Sequence, residues 1–282
     1  MRLGRERPAV PAEFVISSSI PDDYFPRAVK TNAARGLPPP DWKSKSGPIS
    51  VCGNGPSLRD TFPTSGPVAA LNGAWRTLVK NGVRPDYIIV QDPCPENVAW
   101  FEDAPDDVIY LLASQVHPDV FDKLKGKDVR VWHFDGSAER AIGLEPRWEA
   151  NFTIGCYYLH ILYGMGYRHF DCYGYDSCYS LLGEHHASPQ SWNIGTPQPY
   201  QVGERMFIAE PWMAAQVQEF LKQIETNRYF YTVDVKGDGM LAAALEHNTL
   251  QVLYDLDVAP GSYDFLCAMV NVENYRKENK YS

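Results

Sequence analysis

Gly53-Asn54-Gly55-Pro56-Ser57 follows directly on a short apolar run, Ile49 to Cys52. A Gly-x-Gly turn leaving a strand lets the backbone approach a ligand closely and expose N–H groups, which is the chemistry of a phosphate-binding turn. A plain strand-to-helix turn with Ser57 as its cap accounts for the same residues, and both readings stand. Two better-known phosphate sites are excluded by spacing. The dinucleotide fingerprint needs a third small residue where Leu58 stands and an acid where Asn72 stands, and no G-x-x-x-x-G-K-[ST] occurs.

Other polar residues close apolar runs in the same way: Asn72, Asp92, Ser114, Asp135 and Asp176. In an open α/β sheet the ligand crevice lies beyond the carboxyl ends of the strands, so these residues are expected to meet Asn54 and Ser57 at one rim. If Asp92, Asp135 and Asp176 converge, they are a set that holds Mg²⁺ against phosphates. His185 and His186, preceded by Glu184, lie in a polar stretch. One histidine is a candidate general base on an acceptor hydroxyl, with Glu184 orienting it; an exposed pair with no role is the alternative.

These groups need a scaffold. Ile49–Cys52, Pro67–Asn72, Asp86–Pro93, Val108–Ser114, Val129–Phe134 and His169–Gly174 read as strands. Helical segments fall between several of them, at Gly73–Asn81, around His117–Gly126 and from Thr153 to Gly164. Strands alternating with helices at this spacing predict a Rossmann-like, doubly wound α/β fold with a mostly parallel sheet. Residues 1–47, rich in Pro and basic side chains, are expected as an irregular arm, and 48–282 as one domain. Within it, 177–210 has little periodicity and is expected as a lid-like loop. Pro211 opens an amphipathic helix, and Tyr229–Val235 and Leu250–Leu256 are expected as closing strands, with Gly239–Leu245 helical between them.

Apolar residues make up 44% and charged residues 22%, so the chain reads as globular rather than disordered or fibrous. A net charge of -9 disfavours nucleic acid as the main partner, and any phosphate must be met locally. Six cysteines without C-x-x-C spacing are expected as reduced residues, and no run is long and apolar enough for a membrane span; a cytoplasmic location follows. Self-association is left open.

The motifs in order resemble a family. Cys52-Gly53-Asn54-Gly55-Pro56-Ser57-Leu58 is similar to the opening motif of the bacterial sialyltransferases that use CMP-sialic acid. It also resembles that of the motility-accessory-factor family of nonulosonic acid transferases and the related archaeal hydroxymethyl-dihydropterin pyrophosphokinases. Asn72, Gln91-Asp92-Pro93, Thr153-Ile154-Gly155, Leu162-Tyr163-Gly164-Met165-Gly166-Tyr167 and Gly174-Tyr175-Asp176 continue the likeness in register over about residues 48–180.

The resemblance implies a crevice for a cytidine-type nucleotide, with Gly53, Gly55 and Ser57 in its turn. It places Asn54 and Asn72 on phosphate, ribose or base, and Thr153 and Gly155 on phosphates at a helix start. Asp92 becomes a ribose contact or metal ligand, and Asp176 lies near base or sugar. It implies transfer of a sialic-acid-like sugar from a CMP-activated donor to an unspecified acceptor, with no tightly bound cofactor. Mg²⁺-dependent diphosphotransfer and a non-catalytic, nucleotide-binding assembly role are the alternatives. The likeness departs before Pro211: where the sialyltransferases carry a histidine, this chain has Phe207-Ile208-Ala209-Glu210.

Overall fold

The computed structural model describes residues 21, 23–148, 154–188, 197–247 and 251–252, with the side chains of 154–157 and 251–252 left out. In chain order the elements are α1 (Tyr24–Ala33), β1 (Pro48–Cys52), β2 (Val68–Leu71), α2 (Ala74–Lys80), β3 (Tyr87–Val90), β4 (Ile109–Ala113), α3 (Pro118–Lys123), β5 (Asp128–Phe134) and α4 (Ser137–Ala141). They continue as β6 (Arg147–Trp148), α5 (Ile154–Met165), β7 (His169–Tyr173), β8 (Gln198–Val202), β9 (Arg205–Ala209), α6 (Pro211–Asn227), β10 (Thr232–Val235), α7 (Met240–His247) and β11 (Gln251–Val252). Short 3-10 turns occupy Pro56–Arg59 and Pro95–Phe101.

Eight strands form one sheet in the order β10-β7-β1-β2-β3-β4-β5-β6, and every pairing in it is parallel. Parallel strands covered by helices on both faces must be apolar throughout rather than alternating. β2 (VAAL), β3 (YIIV) and the last four residues of β4 (YLLA) are buried at every position. The chain runs from β1 outward to β6 and then returns to lay β7 on the other side of β1. The order therefore reverses between β1 and β7, and a crevice opens beyond the carboxyl ends of strands at such a reversal.

Local signals set the helix limits. α2 stops at Asn81, followed by Gly82 with φ +75, the left-handed stop that a side chain adopts at a cost. α3 starts at Pro118, where His117 accepts a hydrogen bond from the Asp119 N–H at 3.3 Å. α6 buries Met213, Ala214, Val217, Phe220 and Gln223, a stripe at helical spacing, against the domain.

Three expectations are corrected. Residues 1–47 are not irregular throughout: α1 forms, and the buried Asn32 amide donates to the Ser114 and Val116 carbonyls at 2.9 and 2.8 Å. Past it, Pro38 accepts from the Val131 N–H, while the Lys43 and Lys45 N–H groups bond the end of α5, so this stretch is pinned to the sheet and its cover. The segment 177–210 is not a loop to its end, because β8 and β9 make an antiparallel hairpin turning at Gly203, whose φ is +57. Finally, β11 pairs antiparallel with β8 in a separate three-stranded sheet and does not close the main one.

Candidate functional site

A crevice of about 140 Å³ opens at the β1/β7 reversal. Its floor is Gly53, Asn54, Gly55 and Gly174, one side is Leu71 and Asn72 from the end of β2, and His185, His186 and Trp212 stand opposite. Asn54, Asn72 and Asp176, carried on three different strand ends, thus meet at one rim.

The glycines serve a different purpose from the one their spacing suggested. The Gly53 N–H donates to the Tyr173 carbonyl and the Gly55 N–H to the Gly174 carbonyl, both at 2.8 Å, and the Ser57 N–H donates to the Asp176 Oδ2 at 2.8 Å. These donors are spent inside the protein, so the turn does not offer them to an anion. The glycines are required because the end of β7 lies against them. A Cβ on Gly53 would stand 2.7 Å from the Gly174 carbonyl oxygen, and one on Gly55 would stand 2.4 Å from Asp176 Oδ2.

Asp176 is 5% exposed, and burial pushes its carboxyl above the ordinary carboxylate value. It, rather than Ser57, caps the 3-10 turn. The Ser57 hydroxyl faces Gly237 and is absent from the crevice lining.

Asn72 carries the clearest sign of an unfilled role. Its φ is +48, its N–H donates to the Ile89 carbonyl at 2.9 Å, and its side chain lines the crevice. The side-chain Oδ1 is buried and receives no hydrogen bond. A buried amide oxygen without a donor costs on the order of 1–3 kcal/mol, which a donor on a ligand recovers.

The histidines are not exposed. His185 is 7% exposed, and its ring stacks on that of His186 with centroids 3.8 Å apart. Trp212 meets His185 edge-on at 5.3 Å, and the Tyr179 ring lies 5.6 Å from it. Burial pushes the His186 imidazole down to about 3, opposed by a hydrogen bond with the Asn54 backbone. Burial, then the neighbouring His186, push His185 well below its usual value. Both rings are neutral near pH 7.

A family model described as 6-hydroxymethylpterin diphosphokinase MptE-like matches residues 29–181, more than half of the chain. The chain belongs to the MptE-like family. No curated protein matches it. Among solved structures it is similar to one titled "Structure of MAf glycosyltransferase from Magnetospirillum magneticum AMB-1", with a TM-score of 0.56 at 15% identity. The alignment covers 92% of this chain and 44% of that one, so this MptE-like chain spans less than half the length of the MAf protein. At that identity the likeness is one of fold.

The remaining nominated residues of this MptE-like chain are dispersed. Asp92 accepts from the Cys94 N–H at 3.0 Å, capping its own loop, and does not line the crevice. Asp135 is taken by Arg140 and Arg147 at 2.7 and 2.9 Å. Strands lie about 4.8 Å apart, so the end of β5 is about 24 Å from the end of β7, and the end of β3 about 14 Å from it. Asp92, Asp135 and Asp176 therefore do not form one metal site. Among the described residues, no group of three or more His, Cys, Asp or Glu side chains is placed to hold a metal. Thr153 lies outside the described residues, and Gly155 falls in the first turn of α5. Glu184 does not orient a histidine: its Oε2 accepts from Arg59 Nη1 at 2.7 Å and from the Ser180 hydroxyl at 3.3 Å.

Sequence reasoning missed Arg59 and Glu210. Arg59 ends the 3-10 turn and also donates to the His186 and Ala187 carbonyls. Glu210, with 0% exposure, caps α6 while accepting from the Tyr179 hydroxyl at 2.5 Å and the Trp212 indole N–H at 2.8 Å, so it holds the aromatic wall beside His185. The available signal was its place directly before Pro211, where a side-chain acceptor is wanted by the first helical N–H groups. Cys52, Cys94 and Cys178 are free thiols. Among the described residues no helix is long and apolar enough to cross a membrane.

Proposed function

We propose that this MptE-like chain is a transferase that takes a nucleotide at the β1/β7 crevice and moves a sialic-acid-like sugar from a CMP-activated donor. The observation that carries the reading is the crevice itself: it opens at the β1/β7 reversal and is lined by Asn54 and Asn72 from the neighbouring ends of β1 and β2, with the Asn72 Oδ1 left without a donor. Donor groups on a base or ribose complete that oxygen. His186, or His185 beside it, accepts the acceptor's proton. The Asn54 hydrogen bond fixes the His186 ring. Gly53, Gly55, Ser57 and Asp176 act behind this surface by locking the turn to β7. Thr153 and Gly155 meet the phosphates. The free thiols accord with a reducing compartment such as the cytoplasm.

The matched family description favours a second reading, diphosphotransfer to a pterin-like alcohol. Mg²⁺ would then be held by the phosphates and at most one or two carboxylates, Asp92 among them, because the three acids do not meet.

Thermal melts with a nucleotide panel test both. CMP or CDP at about one hundred times Kd raises stability by roughly 2.7 kcal/mol, seen as a rise in Tm independent of Mg²⁺. A rise with ATP that requires Mg²⁺ transfers the assignment to diphosphotransfer. A flat response to every nucleotide removes both.

A further inference from the structure

We infer that Arg59 is a latch that holds segment 184–188 down over the crevice, so that the chain seals its own site. The inference rests on the crevice being the nucleotide site. One guanidinium grips three consecutive points of that segment's course: Nη1 donates to Glu184 Oε2 at 2.7 Å, Nη2 to the His186 carbonyl at 2.9 Å and Nε to the Ala187 carbonyl at 3.1 Å. The planar fork of arginine suits such a multidentate hold, and lysine cannot reproduce it. The segment in turn fills the binding groups of the floor. The Ser188 hydroxyl donates to Asn54 Oδ1 at 3.0 Å, the Asn54 amide donates to the Ser188 carbonyl at 3.3 Å, and the Ala187 N–H donates to the Asn54 carbonyl at 2.8 Å.

Asn54 is therefore occupied at its side-chain oxygen, its side-chain nitrogen and its backbone carbonyl. The space left, about 140 Å³, compares with a cavity of about 150 Å³ that holds one benzene ring. A ligand that bonds the Asn54 side chain meets the Ser188 groups already there. Entry of a nucleotide requires Ser188 to leave Asn54, and the segment can leave only as Arg59 releases it. The latch and the ligand thus compete, and the apparent affinity is lowered by the fraction of chains that are sealed.

The test uses the full chain and two readouts that need no ligand: amide exchange of a peptide containing 184–188, and labelling of Cys178, which lines the crevice and is 6% exposed. In Arg59→Ala, exchange in this peptide and labelling of Cys178 each accelerate about tenfold or more, while Cys52 in β1 stays protected, reporting an intact fold. Arg59→Lys falls between the two. Ser188→Ala, which leaves the arginine in place, loosens the segment less. CMP, measured by calorimetry, binds both alanine variants about three- to tenfold more tightly than the unaltered chain. Unchanged exchange and labelling in Arg59→Ala overturn the latch. Faster exchange with CMP binding equal or weaker overturns the competition. If no variant binds CMP while Arg59→Ala exposes Cys178, the seal stands and the nucleotide reading fails.

Discussion

Acidification should open the crevice, and the stacked histidines set the size of the effect. The perturbation is a shift from about pH 7.5 to about pH 5, across the ordinary histidine value of about 6.5. With the segment closed, burial holds the His186 imidazole that it carries down to about 3 and His185 well below its usual value. Between these limits an opened, solvated pair binds protons that the closed pair refuses. Closure is therefore fully favoured above about pH 6.5 and is lost progressively as pH falls toward about 3.

At pH 5 the His186 ring forgoes about 1.5 pH units of protonation, or about 2 kcal/mol, a change of about thirtyfold in the opening equilibrium, and His185 acts in the same direction. The groups facing the pair are Tyr179, Trp212 with Glu210 behind it, Arg59 with Glu184, and Asp176. Asp176 acts with the opposite sign, since burial raises its carboxyl and protonation relieves it at acid pH, so it trims the effect without reversing it. Amide exchange of the 184–188 peptide, divided by the intrinsic rate at each pH, reports the opening. His185→Gln combined with His186→Gln should flatten the profile. Protection that is independent of pH over this range, or that rises on acidification, refutes the reasoning.

Two further outcomes separate the parts played by individual residues. Gly55→Ala should cost about 3 kcal/mol by overpacking, because the new Cβ meets Asp176 Oδ2 at 2.4 Å and the Gly174 carbonyl oxygen at 2.5 Å, neither of which yields easily. Gly66→Ala, where φ is +81 but nothing lies within 4 Å, should cost only about 1 kcal/mol from backbone strain, and equal losses in chemical denaturation would contradict the packing argument. Asn72→Gly removes both the left-handed asparagine and its donorless oxygen, so the midpoint should hold or rise by up to about 1 kcal/mol while CMP binding weakens about tenfold. Lost stability with binding intact would place Asn72 in the scaffold instead.

The central strands β2, β3 and β4 were legible because burial on both faces leaves a continuous apolar run, as in Tyr87–Val90 and Ile109–Ala113, that needs no partner to be recognised, whereas the two-residue β6 was not. The hairpin was not. β8 includes Pro199, and only Tyr200 and Val202 of its five residues are buried, so its period is too short and too mixed to stand out. α1 was obscured for a related reason: beside Ala28 and Val29 its buried face carries Asn32, whose amide nitrogen donates to carbonyls more than eighty residues away.

At the site, the rule that strand ends bear function located Asn54, Asn72 and Asp176, because parallel strands deliver their ends to one edge whatever their order. Which of those ends are neighbours is a property of strand order, and no local period carries it. β7 lies next to β1, so Asp176 reaches the Ser57 N–H; β5 lies five places from β7, so Asp135 pairs with arginines far away. The same order explains the glycines. Spacing alone offered a donor-lined turn, and adjacency to β7 consumed those donors. On the nucleotide reading a ligand bonds instead to the side chains of Asn54 and Asn72, and Arg59 keeps the first of these covered.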